Sequence, residues 1–472
     1  MANKALLPEM LLFVMSMVTL MCAVFVPAPY RKATALVLTQ AALWGAIALA
    51  ICFATSGTVT LFSETVVFDH LSLTLKIISY ALASGLCLYA YHYLQSMKMP
   101  VPEFYVLTLL SVLGLSTLLS ANHFITLYVG LELMSLPLYA MIAMRRNAAL
   151  CLEAAIKYFV IGAIATGILL YGITLLYGAT QSLAFAEVAQ AMPAALQTHH
   201  LLVTFAMVFI TLGVGFKLGT VPCHMWLPDV YEGAPTIMTM MVATLAKIAA
   251  LGMLLRLLIA VLPAMFVGWQ PLILVLVVLS LFVGNVTAVK QVNLKRLLAY
   301  SSIAQMGYIL LGVYSGKAGG YHAAVFYMVT YAVTTLAAFA LIMCFRREDG
   351  EEATMIADYK GLFHHYPWHA VMFAMVMFSL AGVPPFVGFI AKLQVFQVLI
   401  QSGPLWLVVL GLLLAVVAAY YYIAVIKVMF FDERDRPLTR VSLGLGDPLL
   451  SMNVCAVLLL GMIPSGLLMW LA

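Results

Sequence analysis

Apolar stretches long enough to cross a bilayer follow one another along the whole chain, separated by short polar connections. A helix needs about 20 apolar residues to cross the hydrocarbon core of a membrane. The pattern therefore predicts an all-α polytopic membrane protein with about 14 transmembrane helices. The spans are predicted at residues 5–26, 33–55, 70–94, 103–120, 122–144, 152–177, 201–224, 235–261, 270–289, 297–314, 320–345, 369–400, 405–431 and 448–471.

The polar connections are too short to form a soluble domain, the longest being residues 178–200, 346–368 and 432–447. We therefore expect a single membrane domain over residues 1–472. Within it we expect three N-terminal spans, two five-helix units and one C-terminal span, at residues 1–102, 103–262, 263–431 and 432–472.

Spans seven and twelve contain glycine and proline at residues 215–222 and 381–392, and both helices are predicted to be broken there. Proline removes a helical hydrogen bond, and a membrane tolerates the freed backbone groups only beside protein or water. The two spans are five apart and run in opposite directions. Spans 4–8 and 9–13 are therefore predicted to be inverted repeats, and paired broken helices are typical of a transport site.

Composition excludes a soluble protein, because 65% of the residues are hydrophobic and only 9% are charged. The net charge of +5 is not gathered into one patch, so no nucleic-acid partner is expected. The seven cysteines form no CxxC pair, and nucleotide-binding motifs are absent from the sequence. We therefore expect no metal, redox centre or other cofactor in this chain. The histidines at 364, 365 and 369 lack the cysteine or carboxylate cluster that would support a metal site.

Basic residues are distributed unevenly between the two sides of the predicted membrane. If the N-terminus is outside, the outer loops hold only Lys4 and Lys317, and the inner loops hold the other loop lysines and arginines. Because cytoplasmic loops carry the excess of Lys and Arg, both termini are predicted to lie on the outer side.

Five ionisable side chains are predicted deep within apolar spans: Glu132, Lys157, Lys217, Lys247 and Lys392. One such charge at the bilayer centre costs roughly 3 kcal/mol on insertion scales, so a set of them indicates an ion pathway. Lysine suits a proton relay because burial brings its charged and neutral forms close in free energy. We therefore predict that these side chains form a proton relay.

Glu132 is expected to control the relay. Two charges about 7 Å apart at an effective dielectric of about 20 interact by roughly 2.4 kcal/mol. Moving Glu132 relative to Lys217 would thus switch whether Lys217 holds its proton, with Lys157 competing for Glu132. The alternative is a static buried ion pair between Glu132 and Lys157.

Other ionisable residues carry weaker expectations. His224 follows the break in span seven, where it is either a proton donor to the relay or a hydrogen-bonded structural histidine. Structural roles are expected for Lys76, Arg256 and Lys427, which could also extend to the membrane surface or contact a partner, and for His322 at the start of span eleven.

Five motifs stand out along the chain: SLPLY (135–139), EAAIKYF (153–159), GFKLGTVPCHMWLPDVYEGAP (215–235), NLKRLLAYSSIAQMGY (293–308) and AGVPPFVGFIAK (381–392). Together they resemble the antiporter-like membrane subunits of respiratory complex I, the bacterial NADH:quinone oxidoreductase. The run from Asp229 to Pro235, Lys392, and a chain that stops at Ala472 soon after span fourteen are similar to the N-type subunit rather than its M-type and L-type siblings.

The resemblance implies that Glu132, Lys217, Lys247 and Lys392 form a polar axis along the membrane midplane, modulated by Lys157. It also implies that FMN, the iron–sulfur clusters and the NADH site lie in partner subunits, with quinone as substrate of the complex. The chain would sit in the lipid bilayer of the bacterial inner membrane. Its neighbours would be small membrane subunits on one side, an M-type subunit on the Lys392 side, and the lateral helix of an L-type subunit.

Two alternatives remain. The chain could belong to a multisubunit sodium/proton antiporter without redox coupling, because residues 293–296 (NLKR) occur in that family as well. It could also be a purely structural membrane subunit whose lysines only form ion pairs.

Overall fold

Helices account for most of the computed structural model, which describes residues 5–53, 57–433 and 438–471. They are α1 (Leu7–Phe25), α2 (Ala28–Cys52), α3 (His70–Ser96), α4 (Val101–Leu119), α5 (Phe124–Ile142), α6 (Ala149–Thr180), α7 (Phe185–Thr198), α8 (His200–Leu218), α9 (Trp226–Gly233), α10 (Thr236–Ala243), α11 (Leu245–Arg256), α12 (Phe266–Ala288), α13 (Leu294–Tyr314), α14 (Ala318–Met343), α15 (Leu362–His365), α16 (Pro367–Ala381), α17 (Val387–Ser402), α18 (Leu405–Phe431), α19 (Gly446–Met462) and α20 (Ser465–Leu471).

Strands are short and confined to connections. β1 (Val59–Leu61) pairs antiparallel with β2 (Val66–Phe68), and β3 (Phe345–Arg346) pairs antiparallel with β4 (Thr439–Arg440). A π-helical turn follows α11 at Leu257–Val261, and 3₁₀ turns lie at Pro263–Met265 and Ile356–Tyr359.

The all-α polytopic membrane class is confirmed. Within the described residues, 12 helices are long and apolar enough to cross a membrane, counting Thr236–Val261 as one. Each of the remaining two predicted spans is divided between shorter helices. α16 and α17 are 15 and 16 residues long, and α19 and α20 are bent by 84° at their junction.

Helix breaks occur at both predicted glycine–proline segments. α8 ends at Leu218, before Gly219 with φ 70°, and α16 ends before Gly382 with φ 85°. A glycine in the left-handed region is a common way to end a helix, because it has no Cβ to clash. Span seven therefore ends as a helix six residues earlier than the predicted boundary at residue 224.

Two features of the backbone were not predicted. α10 ends at Ala243 and α11 begins at Leu245, so span eight is interrupted at Thr244 and is not the continuous helix expected over 235–261. The Thr244 hydroxyl donates to the carbonyl of Met240 at 2.7 Å. The connection 178–200, expected to be a polar loop, contains α7. α7 buries Phe185, Val188 and Met192, whose spacing puts them on one helical face.

The chain divides into two compact units. The first contains the residues up to Lys217 together with Leu245–Trp269, and the second contains Leu218–Thr244 and the residues from Gln270 onward. In the first unit, α4 and α5 pack so closely at Gly114 that a Cβ there would lie 2.2 Å from the backbone nitrogen of Met134. In the second unit, Arg296 on α13 contacts Asp229 and Glu232 on α9 at 2.9 and 2.8 Å.

Candidate functional site

Lys217 occupies a buried polar position in the last turn of α8, and the residue is 6% exposed. Its Nζ donates to Ser135 Oγ at 2.8 Å and to Tyr139 Oη at 3.4 Å, both on α5. The rings of Tyr139 and Phe216 lie 5.8 and 5.7 Å from the same ammonium. Two hydroxyl groups and two aromatic rings thus surround the buried ammonium of Lys217.

Glu132 lies on the same face of α5 as these two hydroxyl groups. Ser135 and Tyr139 follow it by three and seven residues, a spacing that aligns side chains along a helix. Glu132 is half-buried, and its charge acts on both Tyr139 and Lys217. The structure therefore brings Glu132 and Lys217 into one site, together with two hydroxyl groups that the sequence analysis did not assign.

Lys157 does not occupy the interior position predicted for it. Its side chain is 39% exposed, and its Nζ lies 2.8 Å from Glu153 Oε1, one helical turn earlier on α6. Ile156 and Phe159 beside it are 63% and 49% exposed. The prediction of a buried Lys157 was wrong, because this residue lies at the margin of the outward face of α6.

Lys247 is completely buried in α11, three residues after the interruption at Thr244. Its neighbours along the helix from Leu245 to Arg256 are all buried as well. Lys247 thus lies in the protein interior next to an irregular piece of backbone.

Lys392 on α17 is bound by backbone rather than by side chains. Its Nζ donates to the carbonyl oxygens of Ala381 at 2.8 Å and Leu380 at 3.3 Å, at the C-terminal end of α16. The ring of Tyr308 lies 4.9 Å from the ammonium. A Cβ at Gly382 would lie 2.9 Å from Lys392 Cδ. The helix break therefore supplies both the acceptors and the space for this lysine.

A buried polar network adjoins Lys392, and the sequence analysis did not assign it. Gln305 Nε2 donates to the same carbonyl of Leu380 at 3.1 Å, and Tyr327 Oη donates to Gln305 Oε1 at 2.5 Å. Gln305 Nε2 also lies 3.4 Å from Tyr422 Oη, which is hydrogen-bonded to Ser301. The signal available in the sequence was the run of polar residues within α13.

The remaining candidates have simpler surroundings. His224 lies half-buried in the turn that leads to α9, and His322 and Lys427 are exposed. Lys76 and Arg256 form ion pairs with Glu9 and Asp69, partners that the sequence analysis missed.

A polytopic membrane protein that buries lysines beside interrupted helices is of the class that moves ions across membranes. Residues 121–418 match the family described as NADH:quinone oxidoreductase/Mrp antiporter, TM. The chain belongs to this family, and within it to the subunit N group of bacterial NADH-quinone oxidoreductases.

Individual relatives cover nearly the whole chain. The NADH-quinone oxidoreductase subunit N of Coxiella burnetii is 45% identical over 98% of this chain and 96% of its own length. A chain of respiratory complex I from Thermus thermophilus with bound aureothin is 31% identical, with a TM-score of 0.84 over 98% of this chain and 99% of that one. A chain of the Mrp complex from Dietzia shares the fold, with a TM-score of 0.84, at 21% identity over 98% of this chain and 96% of that one.

Proposed function

We propose that this chain is a proton-translocating subunit in the membrane arm of a bacterial NADH:quinone oxidoreductase. Electron transfer from NADH to quinone would occur in other subunits and would drive proton movement here. The observation that carries the proposal is the buried ammonium of Lys217, held by Ser135 and Tyr139 within the field of Glu132. This observation lies in a chain that is 45% identical to a subunit N.

Glu132 would act as the switch of the relay. At an effective dielectric of about 20, lengthening a charge separation from about 5 to about 10 Å removes roughly 1.7 kcal/mol of attraction, a factor of more than ten in the equilibrium for holding a proton. Movement of Glu132 away from Lys217 would therefore release the Lys217 proton towards Lys247. The hydroxyl groups of Ser135 and Tyr139 can accept from the ammonium and donate to the amine, so they suit both states.

Lys392 would couple the chain to its neighbour in the membrane arm. Its site beside the end of α16 favours a cation, because the carbonyl end of a helix carries partial negative charge. His224 is the proposed proton donor to the relay. For Lys157, we propose the modulating role, exerted by a charge that also pairs with Glu153 on the same helix.

The organisation of the proposed subunit follows the sequence argument. Fourteen spans would include two inverted five-helix repeats at residues 103–262 and 263–431, with both termini on the periplasmic side of the inner membrane. Support comes from the two helix breaks, each of which has a left-handed glycine near a buried lysine.

The proposed partners are other membrane subunits of the complex. They are small membrane subunits on one side, an M-type subunit on the Lys392 side, and the lateral helix of an L-type subunit. FMN and iron–sulfur clusters would belong to partner subunits, and quinone would be the substrate of the whole complex.

The test uses inverted membrane vesicles from cells that lack this gene, complemented with wild-type or variant chains. NADH-driven lumen acidification is followed alongside NADH:quinone turnover. We expect Lys217→Ala to depress both rates. Lys217→Arg should behave like the alanine variant, because arginine keeps the charge but does not release a proton. Lys317→Ala, at an exposed loop position, is the matched control.

Either of two results would contradict the proposal. Wild-type rates in both Lys217 variants would remove the relay role. If NADH-driven acidification survived deletion of the gene while sodium/proton exchange disappeared, the chain would instead belong to an antiporter without redox coupling.

A further inference from the structure

The first unit contains a second buried ionic cluster, remote in sequence from the Lys217 site. Lys76 Nζ on α3 lies 2.5 Å from Glu9 Oε1 on α1. The lysine side chain is 3% exposed and that of the glutamate 11%. Two different spans thus each place one ionisable group at the same buried point, within the first two turns of both helices. Such groups inside a membrane protein pair with one another and often mark a functional site.

The two carboxylate oxygens of Glu9 have different surroundings. Oε1 accepts from Lys76 and also from Ser116 Oγ at 2.6 Å, and Ser116 Oγ is 2.7 Å from Tyr80 Oη. Oε2 is buried, and no hydrogen-bond partner for it occurs among the described residues. A structural ion pair would be expected to satisfy both oxygens, since an unpartnered buried polar atom is costly.

A second ion pair, Asp69–Arg256, lies beside Lys76 and Glu9. Arg256 on α11 makes two hydrogen bonds of 2.6 Å to the carboxylate of Asp69, which also caps α3 through Ser72. Burial raises the pKa of Asp69, but the hydrogen bonds and charge of Arg256, together with the hydrogen bonds of Ser72, outweigh that effect and hold the pKa below its ordinary value. Because arginine does not lose its proton, both side chains of this pair stay charged, and their two charges sum to zero.

A cavity of about 380 Å³ connects the cluster to the protein surface. Lys76 and Asp69 line it together with Pro8, Phe68 and the exposed residues His70 and Gly57. The volume has room for several water molecules, each of which occupies about 30 Å³ in the liquid. Water in this cavity would reach the lysine that holds Glu9.

α11 carries both the buried Lys247 and the arginine that pairs with Asp69. Lys247 and Arg256 lie nine residues apart on that helix, a rise of about 13.5 Å. Between them, Gly252 packs against Leu119 and Leu75, which separates the two polar levels by an apolar contact. Lys247 and the Arg256 end of the cluster thus occupy two separate levels of the same helix.

We propose that Glu9 is a proton-binding site that exchanges protons between this cavity and the interior of the first unit. The inference rests on the proposed proton-translocating function. A proton arriving through the cavity reaches Lys76, which lines it. Lys76 passes one proton to the carboxylate of Glu9 and takes up the arriving one, so that it ends as an ammonium and the Asp69–Arg256 pair is unchanged. The four charged side chains then go from neutral to a net charge of +1, and loss of the same proton restores neutrality.

The test compares Glu9→Gln, Glu9→Asp and the matched control Glu103→Gln, at an exposed position of α4. Each variant is expressed in the gene-deletion strain, and the assembled complex is quantified by its NADH oxidation with an artificial acceptor. NADH-driven acidification per NADH oxidised is measured in vesicles. Redox-triggered infrared difference spectra of the purified complex then report the carbonyl stretch of protonated carboxylic acids.

We expect Glu9→Gln to assemble, to lose acidification per NADH and to lose one carboxylic-acid band that wild-type and Glu103→Gln retain. Glu9→Asp should recover the band at a shifted position. An unchanged carboxylic-acid spectrum in Glu9→Gln would overturn the proposal, as would full acidification. Loss of assembly in Glu9→Gln with an unshifted wild-type band in Glu9→Asp would assign Glu9 a structural role and also overturn it. Failure of the proposed function would be recognised separately, because the wild-type chain would then not restore NADH-driven acidification.

Discussion

Substitution of Gly382 by alanine should displace Lys392 from its site. Gly382 has a φ of 85° and follows the two residues whose carbonyl oxygens accept from Lys392. A new Cβ would lie 2.9 Å from Lys392 Cδ and 3.1 Å from Nζ. Because contacts between real Cβ atoms and their neighbours are rarely that short, the lysine has to move away from the end of α16.

The expected magnitude has two parts. Alanine in the left-handed region costs roughly 1–2 kcal/mol. A hydrogen bond from a charged group to a buried carbonyl contributes about 1.5–3 kcal/mol, of which only part is recovered elsewhere by a flexible lysine. A loss of about 2 kcal/mol at the translocation step corresponds to a rate roughly 30-fold lower.

The assay is NADH-driven acidification in vesicles, normalised to the amount of assembled complex. Gly319→Ala is the matched control in the same unit, because the nearest atom to its new Cβ is Val398 Cγ2 at 3.9 Å. Gly382→Asn separates the two effects, since asparagine tolerates the left-handed region but still carries a Cβ. Wild-type acidification in Gly382→Ala would refute the argument, and full recovery in Gly382→Asn would assign the effect to backbone strain alone.

Three further predictions concern the first unit. Ser135→Ala removes the 2.8 Å acceptor of Lys217, so NADH:quinone turnover should fall several-fold but less than in Lys217→Ala; equal rates in Ser135→Ala and wild-type would contradict this. Glu153→Gln should change thermal stability little, because its pair with Lys157 is largely exposed and is worth no more than about 0.5 kcal/mol. Asp69→Asn should destabilise the protein at neutral pH. The lowered pKa of Asp69 gives stability that is present above its ordinary value of 3.8 and is lost as the pH falls through the folded-state pKa, so melting curves of the two proteins should converge in acid.

Span length and composition predicted most of the fold, because crossing a bilayer requires a long apolar helix whatever its neighbours are. The two features that were missed do not depend on that requirement. α7 is amphipathic rather than uniformly apolar, and its signal was the spacing of Phe185, Val188 and Met192. The interruption at Thr244 contains neither glycine nor proline, so no local propensity indicated it.

The candidate site was predictable only in part, because hydropathy locates a charge within a span but not on a face of its helix. Lys217 and Lys392 are buried, whereas Lys157 lies at the margin of an exposed face. The role of Ser135 could have been predicted from its three-residue spacing to Glu132. The carbonyl acceptors of Lys392 could not have been predicted, because every residue has a carbonyl group and only the helix break directs these two towards the lysine.

The partners of the two lysines differ in a way that bears on their roles. Ser135 and Tyr139 present hydroxyl groups, which accept from an ammonium and can rotate to donate to an amine. The carbonyl oxygens of Ala381 and Leu380 only accept, so a neutral Lys392 would leave its nitrogen lone pair without a donor there. The end of α16 adds partial negative charge, which again favours the ammonium. The hydroxyl partners of Lys217 thus suit both forms of the amine, whereas the carbonyl partners of Lys392 suit the ammonium.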